Sequence, residues 1–145
     1  MNEIWKIAID LDQLNERSLN SMVSNLGIRF TAFGPDWLQA TMPVDHRTIQ
    51  PYGILHGGAS VALAESLGSI ASSLCIADLT VQVPVGVEIN ANHLNSVSSG
   101  QVIGTVKAIK IGKLLHVWNI EIADDKGRLC CVCRLTTAVI STKKA

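Results

Sequence analysis

Between Gln50 and Leu79 the chain reads QPYGILHGGASVALAESLGSIASSLCIADL, and before Asp78 it carries one Asp, Glu, Lys or Arg, namely Glu65. A carboxylate taken out of water without a partner is costly, so such a group is protonated, paired or hydrogen-bonded. If the segment is a helix, Ser69 lies one turn on and beside Glu65 on the same face. A carboxylate with a neighbouring hydroxyl can hold a water or sit against an electrophile. The plainer alternatives are a Glu65 that faces solvent from the helix edge and a Ser69 that bonds back to the preceding turn.

His56-Gly57-Gly58 stands just ahead of that segment. Paired glycines let a backbone approach a ligand closely, and free N–H groups at a helix start can hold a developing oxyanion. The same glycines could simply turn the chain. Gln50 offers an amide in the adjoining polar loop. His93 ends VPVGVEINANH, where Val85, Val87, Ile89, Ala91 and His93 alternate onto one apolar face, opposite Glu88, Asn90 and Asn92. A histidine on such a face is either a satisfied core residue or the partner of other polar groups.

His56, His93 and Glu65 are of types that bind zinc, but none of the short ligand spacings occurs, and no metal site is expected. No G-x-S-x-G follows a strand pattern, which argues against a serine hydrolase. There is no glycine-rich nucleotide loop.

The totals narrow the class. The 145 residues suit one domain; 48% are hydrophobic and only 17% charged, so much apolar surface must be hidden in a core, an interface or both. Twelve basic residues balance twelve acidic ones, which excludes an ordinary nucleic-acid binder. The opening MNEIWKIAIDLDQL has early acids and no apolar run ending in small residues. Only Gly57 to Ala77 approaches membrane-spanning length, and Glu65 and its serines mark it as a buried soluble helix. The expectation is a cytoplasmic protein whose four cysteines are reduced core hydrophobes. Cys130 and Cys133 form a C-x-x-C on a predicted strand, where residues three apart face opposite sides.

These groups need elements to hold them. DLDQLNERSLNSMVSNLG predicts a short helical entry capped by Asp10 or Asp12 and stopped at Gly27. GIRFTAF and WLQATMPV predict two strands about a Gly34-Pro35-Asp36 turn, with Leu38, Ala40, Met42 and Val44 on one face. A polar loop from Asp45 to Tyr52 precedes a helix over Gly58–Ala77. Four strands follow, beginning near Val81, Val102, Leu115 and Arg128. The order predicts an α+β domain with a mainly antiparallel sheet. Eleven small residues in the helix, among them Gly58, Ala64, Gly68 and Ser72, predict a thin central helix wrapped closely by that sheet.

MPVDHRTIQPYGILHGGASVALAESLGSIA resembles the hotdog-fold acyl-CoA thioesterases through the pattern Q-P-x-G-x-x-H-G-G-x-S-x-x-L-A-E-x-x-G-S. IWK, VGVEINANH and GRLCCVCRLTTAVI extend the likeness along nearly the whole chain. It is most similar to the branch that includes 1,4-dihydroxy-2-naphthoyl-CoA thioesterase of menaquinone synthesis and the enterobactin proofreading thioesterase. The resemblance implies a sheet wrapped around the helix and a dimer of dimers with sites shared between subunits. It implies no cofactor beyond the coenzyme A of the substrate.

By matching position, the resemblance makes Glu65 the nucleophile or general base and has Gly57 N–H polarise the thioester carbonyl. Gln50 and His56 would position the thioester, Ser69 would orient water, and His93 would lie beside the reacting group. Gly86, Asn95 and the run Lys110 to Lys113 fall where the family holds the coenzyme A arm. Two positions depart from it: Asn95 replaces a common arginine, and Tyr52 adds a hydroxyl near the acyl pocket where relatives often have Phe. Hydrolysis of an aromatic acyl-CoA is therefore expected. Its rivals are a hotdog hydratase or dehydratase, which releases no thiol, and a non-catalytic acyl-CoA-binding oligomer.

Overall fold

The computed structural model describes residues 2–143. Helix α1 (Leu11–Arg17) is capped by Asp10, whose side chain accepts from Gln13 N–H, and α2 (Met22–Asn25) is capped by Ser21. The predicted helical entry is thus two short helices. Asn20, in left-handed backbone at φ 57°, breaks it, and Gly27 ends it at φ 71°. Strands β1 (Arg29–Phe33) and β2 (Trp37–Pro43) follow as the expected hairpin, and then helix α3 (Gly57–Leu74). Strands β3 (Gln82–His93), β4 (Gln101–Ile111), β5 (Leu115–Asp124) and β6 (Leu129–Ser141) complete the chain. All strand pairs are antiparallel, in the order β1-β2-β4-β5-β6-β3.

The sheet curves around α3, and the small residues explain how. Gly68 lies so close to β6 that a methyl group there would sit 2.3 Å from Leu135 Cδ2. Ala59, Ser60, Leu63, Ala64, Leu67, Gly68, Ala71 and Ser72 recur at helical spacing and are all buried. They meet Leu38, Ala40 and Met42 of β2, Val102 and Val106 of β4, Trp118, Ile120 and Ile122 of β5, and Leu135 of β6. One polar network crosses this core. Trp118 Nε1–H donates to Ser72 Oγ at 2.7 Å, and Ser72 Oγ lies 2.8 Å from Thr137 Oγ1. At the far end of α3, Leu74 C=O accepts from the N–H groups of Lys6 and Ile7.

Two readings of faces change. Gly86 pairs with Thr137 and Glu88 with Thr136, which leaves Val87 as the extra residue of a β-bulge. The alternation read from Val85 to His93 therefore holds only from Ile89 onward. Val85, opposite Ala138, turns outward, and Gly86, opposite the Thr137 that meets Ser72, turns toward the helix. All four cysteines are free and buried, but the pair that meets is Cys131 and Cys133, with sulfurs 3.5 Å apart. Residues two apart on a strand share a face, whereas Cys130 is skipped in the pairing with β5, between Leu129 and Cys131, as the extra residue of a bulge.

Candidate active site

The loop before α3 is fixed by its own hydrogen bonds. Buried Thr48 donates through Oγ1 to Pro43 C=O at 2.7 Å, and His56 N–H donates to Thr48 C=O at 2.8 Å. Leu55 N–H reaches Val97 C=O, and Gln50 N–H reaches Ile54 C=O. This framework delivers His56 as the N-cap of α3, in extended backbone at φ −68° and ψ 130°. Its Nδ1 accepts from Gly58 N–H at 2.7 Å, so the neutral ring carries its proton on Nε2. Gly57 is the first helical residue, and its N–H has no acceptor among the described residues. That donor stands at the positive end of an 18-residue helix.

Gln50, Gly57, Ser60, His93, Asn95 and Cys130 line one cleft of about 310 Å³. Gln50 Oε1 accepts from Tyr52 N–H, which leaves its side-chain NH2 for a ligand. His93 packs directly on Gly57, where a methyl group would come within 2.9 Å of His93 Nε2. A side chain at 57 would have to displace that ring. Asn95 commits one amide N–H to Leu129 C=O at 2.8 Å, holding its loop against β6.

Glu65 lies elsewhere in the same chain. It is half-buried in a second groove of about 370 Å³ with Met22, Val23, Leu26, Ile28, Val61 and Ile89. Its Oε1 accepts from Ser69 Oγ at 3.0 Å. Ser66 and Ser73 instead bond back to the backbone one turn earlier, so Ser69 is set apart from its neighbours. Against the other side of Glu65 stands Gly86, where a methyl group would lie 2.7 Å from Oε1. The bulge at Val87 turns Gly86 inward, so the strand can lie against the carboxylate. No Lys, Arg or His among the described residues pairs with Glu65.

Glu65 lies eight positions after Gly57 on the helix, about 12 Å of rise. One chain therefore does not bring the Gly57 N–H and the Glu65 carboxylate to a single small group. The remaining positions are spread further. Tyr52 is 91% exposed on its loop. Lys113 lines a cleft with Lys6, Gln82 and His116 at the β4–β5 turn, while exposed Lys110 lies opposite Val117. That turn adjoins the Gln82 end of β3, and Asn95 follows the His93 end, about 36 Å away along an extended strand. Among the described residues, no three His, Cys, Asp or Glu side chains are arranged to hold a metal ion. The contact of His93 Nδ1 with Cys131 Sγ, at 3.5 Å, escaped the sequence reading. The i, i+2 spacing of Cys131 and Cys133 was the available signal.

A sequence profile of the thioesterase superfamily matches residues 52–131. The chain is 55% identical over 137 residues to 1,4-dihydroxy-2-naphthoyl-CoA hydrolase of Escherichia coli, covering 94% of this chain and 99% of the relative. It is 50% identical over 137 residues to a proofreading thioesterase of Cronobacter sakazakii, covering 94% and 98%. A crystal structure of a thioesterase from Haemophilus influenzae superposes with a TM-score of 0.93 at 51% identity, covering 97% of each chain.

Proposed function

The chain belongs to the thioesterase superfamily and is a hotdog-fold thioester hydrolase, and we propose that it cleaves an aromatic acyl-CoA to the free acid and CoA. One observation carries this reading: among the described residues Glu65 has no cationic partner, and it is oriented by Ser69 and borders an apolar groove fit for an acyl group. The naphthoyl-CoA hydrolase among the relatives supports an aromatic ring in that groove and a step in menaquinone synthesis. The working form is a cytoplasmic dimer of dimers.

Because Gly57 and Glu65 are too far apart in one chain, each site takes Gly57 from one copy and Glu65 from its partner. The exposed edge of β3, with Val85 and Val87 open, offers the joining surface. If β3 pairs antiparallel with its own copy, the Gln82 end of one strand meets the His93 end of the other. Lys113 and Lys110 of one chain then approach the Asn95 loop of its partner and share the CoA phosphates. The unpartnered Gly57 N–H polarises the thioester carbonyl, Gln50 NH2 and His56 hold its position, and His93 lies beside the leaving sulfur. Glu65 attacks the carbonyl carbon, expelling CoA thiolate and leaving an anhydride that water opens. Alternatively, it removes a proton from a water held by Ser69, which attacks in its place. Tyr52 closes over the acyl group once the partner covers its loop.

The test is Glu65→Gln, assayed by thiol release from naphthoyl- and benzoyl-CoA. Turnover is expected to fall about 10²- to 10⁴-fold with substrate binding retained. Unchanged turnover overturns the assignment, and conversion of a 3-hydroxyacyl-CoA to its enoyl-CoA by the wild-type protein without free thiol would identify a dehydratase.

A further inference from the structure

His93, Cys131 and Cys133 form a continuous polar chain at the back of the Gly57 cleft. His93 Nδ1 lies 3.5 Å from Cys131 Sγ, which lies 3.5 Å from Cys133 Sγ. Both thiols are 1% exposed, so neither has water as an alternative partner. The register makes the chain possible: His93 of β3 faces Cys131 of β6, and Ala91 faces Cys133, all on the helix side of the sheet.

We propose that Cys131 and Cys133 are positioning residues that fix the tautomer of His93. Cys133 S–H donates to Cys131 Sγ, and Cys131 S–H donates to His93 Nδ1. The ring nitrogen left to carry the proton is Nε2, the atom held against Gly57. His93 therefore presents an N–H, not a lone pair, to the groups gathered at the helix N-terminus. Beside the Gly57 N–H this gives a second neutral donor, able to hold the thioester oxygen or the departing thiolate. The direction of the relay follows from donor and acceptor strengths: an imidazole nitrogen accepts well and a thiol sulfur only weakly, so the thiol facing the ring donates to it. The same contact between the two thiols draws Cys131 down in pKa and, with burial, drives Cys133 up, the sense that a donating Cys133 gives. Reversal would put a lone pair at Nε2 and repel a developing negative charge.

The inference rests on the thioesterase reading for its catalytic consequence, but the tautomer is measurable without substrate. Histidine-labelled protein is examined by ¹⁵N NMR, with His93→Gln identifying the resonances of that ring. The wild-type protein is expected to show unprotonated Nδ1 and protonated Nε2 at His93. Cys131→Ala is expected to give a mixture of tautomers and to lower kcat roughly fivefold, the factor associated with one neutral hydrogen bond, with KM changed less than about twofold. Cys131→Ser, which restores a donor, is expected to recover much of both signals. A wild-type His93 protonated on Nδ1 overturns the relay, whether or not the Ala variant folds. So does a folded Cys131→Ala protein with tautomer and kcat unchanged. Because the ring is read in the absence of any thioester, the relay stands or fails separately from the hydrolase assignment.

Discussion

Glu65 and Gly57 make opposite demands on a substitution. Under the proposed mechanism Glu65 must keep a carboxylate, while Gly57 must keep an N–H and leave room for the His93 ring. Proline at 57 removes the N–H but also sets a ring beneath His93, whereas Gly57→Ala adds a methyl group and keeps the N–H, so the loss in the proline variant beyond that in the alanine variant reports the N–H alone. The site is the first helical position, where no intrahelical bond is lost, and His56 already has the extended backbone that a following proline requires. Gly57→Pro is expected to leave the helix content seen by circular dichroism unchanged and to lower kcat about 10²- to 10³-fold, the usual cost of one oxyanion donor. Retention of full activity would remove Gly57 N–H from the mechanism. At this scale the sequence was informative wherever chemistry is rare. A single carboxylate in a long apolar segment and two glycines after a histidine stand out from their surroundings. Cys131 and Cys133 did not, because a buried cysteine is an ordinary core residue until its neighbour across the sheet is known.

Helix α3 and strand β3 show what patterns do and do not specify. The small residues of α3 foretold a helix held close to a sheet, and Gly68 against Leu135 is that contact. The price of a thin helix is a polar interior that must be satisfied, and Ser72 meets it by bridging Trp118 and Thr137. Ser72→Ala leaves the buried Trp118 N–H unpaired and is expected to destabilise the protein by about 1–3 kcal/mol in urea unfolding. With Trp118→Phe measured alongside, the double variant should cost less than the sum of the two single variants, and costs that simply add would show that the network carries no coupling. In β3, strict alternation gave the wrong face for Val85. A single-residue bulge shifts register by one, and nothing in VPVGVEIN announces it except the glycine beside it. That shift matters to function, because it is what turns Gly86 toward Glu65.

Across the whole molecule, the candidate site residues are divided: one cleft holds Gly57 and His93, another holds Glu65, and the lysines lie at the opposite end of β3. Sequence order conceals this, since Gly57 and Glu65 sit close on one helix; its geometry sets them about 12 Å apart. Stability also has a pH limit that belongs to the fold. His116 is buried with no partner for Nδ1 among the described residues, and burial lowers its pKa below the ordinary 6.5, against a smaller raising effect of the Gly112 backbone. The unfolded ring binds a proton more readily, so this contribution is complete above about pH 6.5 and is lost as pH falls through the lower folded value. Urea midpoints should therefore fall on acidification, and His116→Gln should flatten that dependence; parallel curves for the two proteins would contradict it. The most direct test of the shared site is complementation. Glu65→Gln and Gly57→Pro, each inactive as a homo-oligomer, are co-expressed at equal levels and purified together. A hybrid dimer then holds one intact site and one with both lesions. If one copy supplies the carboxylate and the other the N–H, random pairing should restore about a quarter of wild-type turnover. A mixture no more active than its parents would contradict the account.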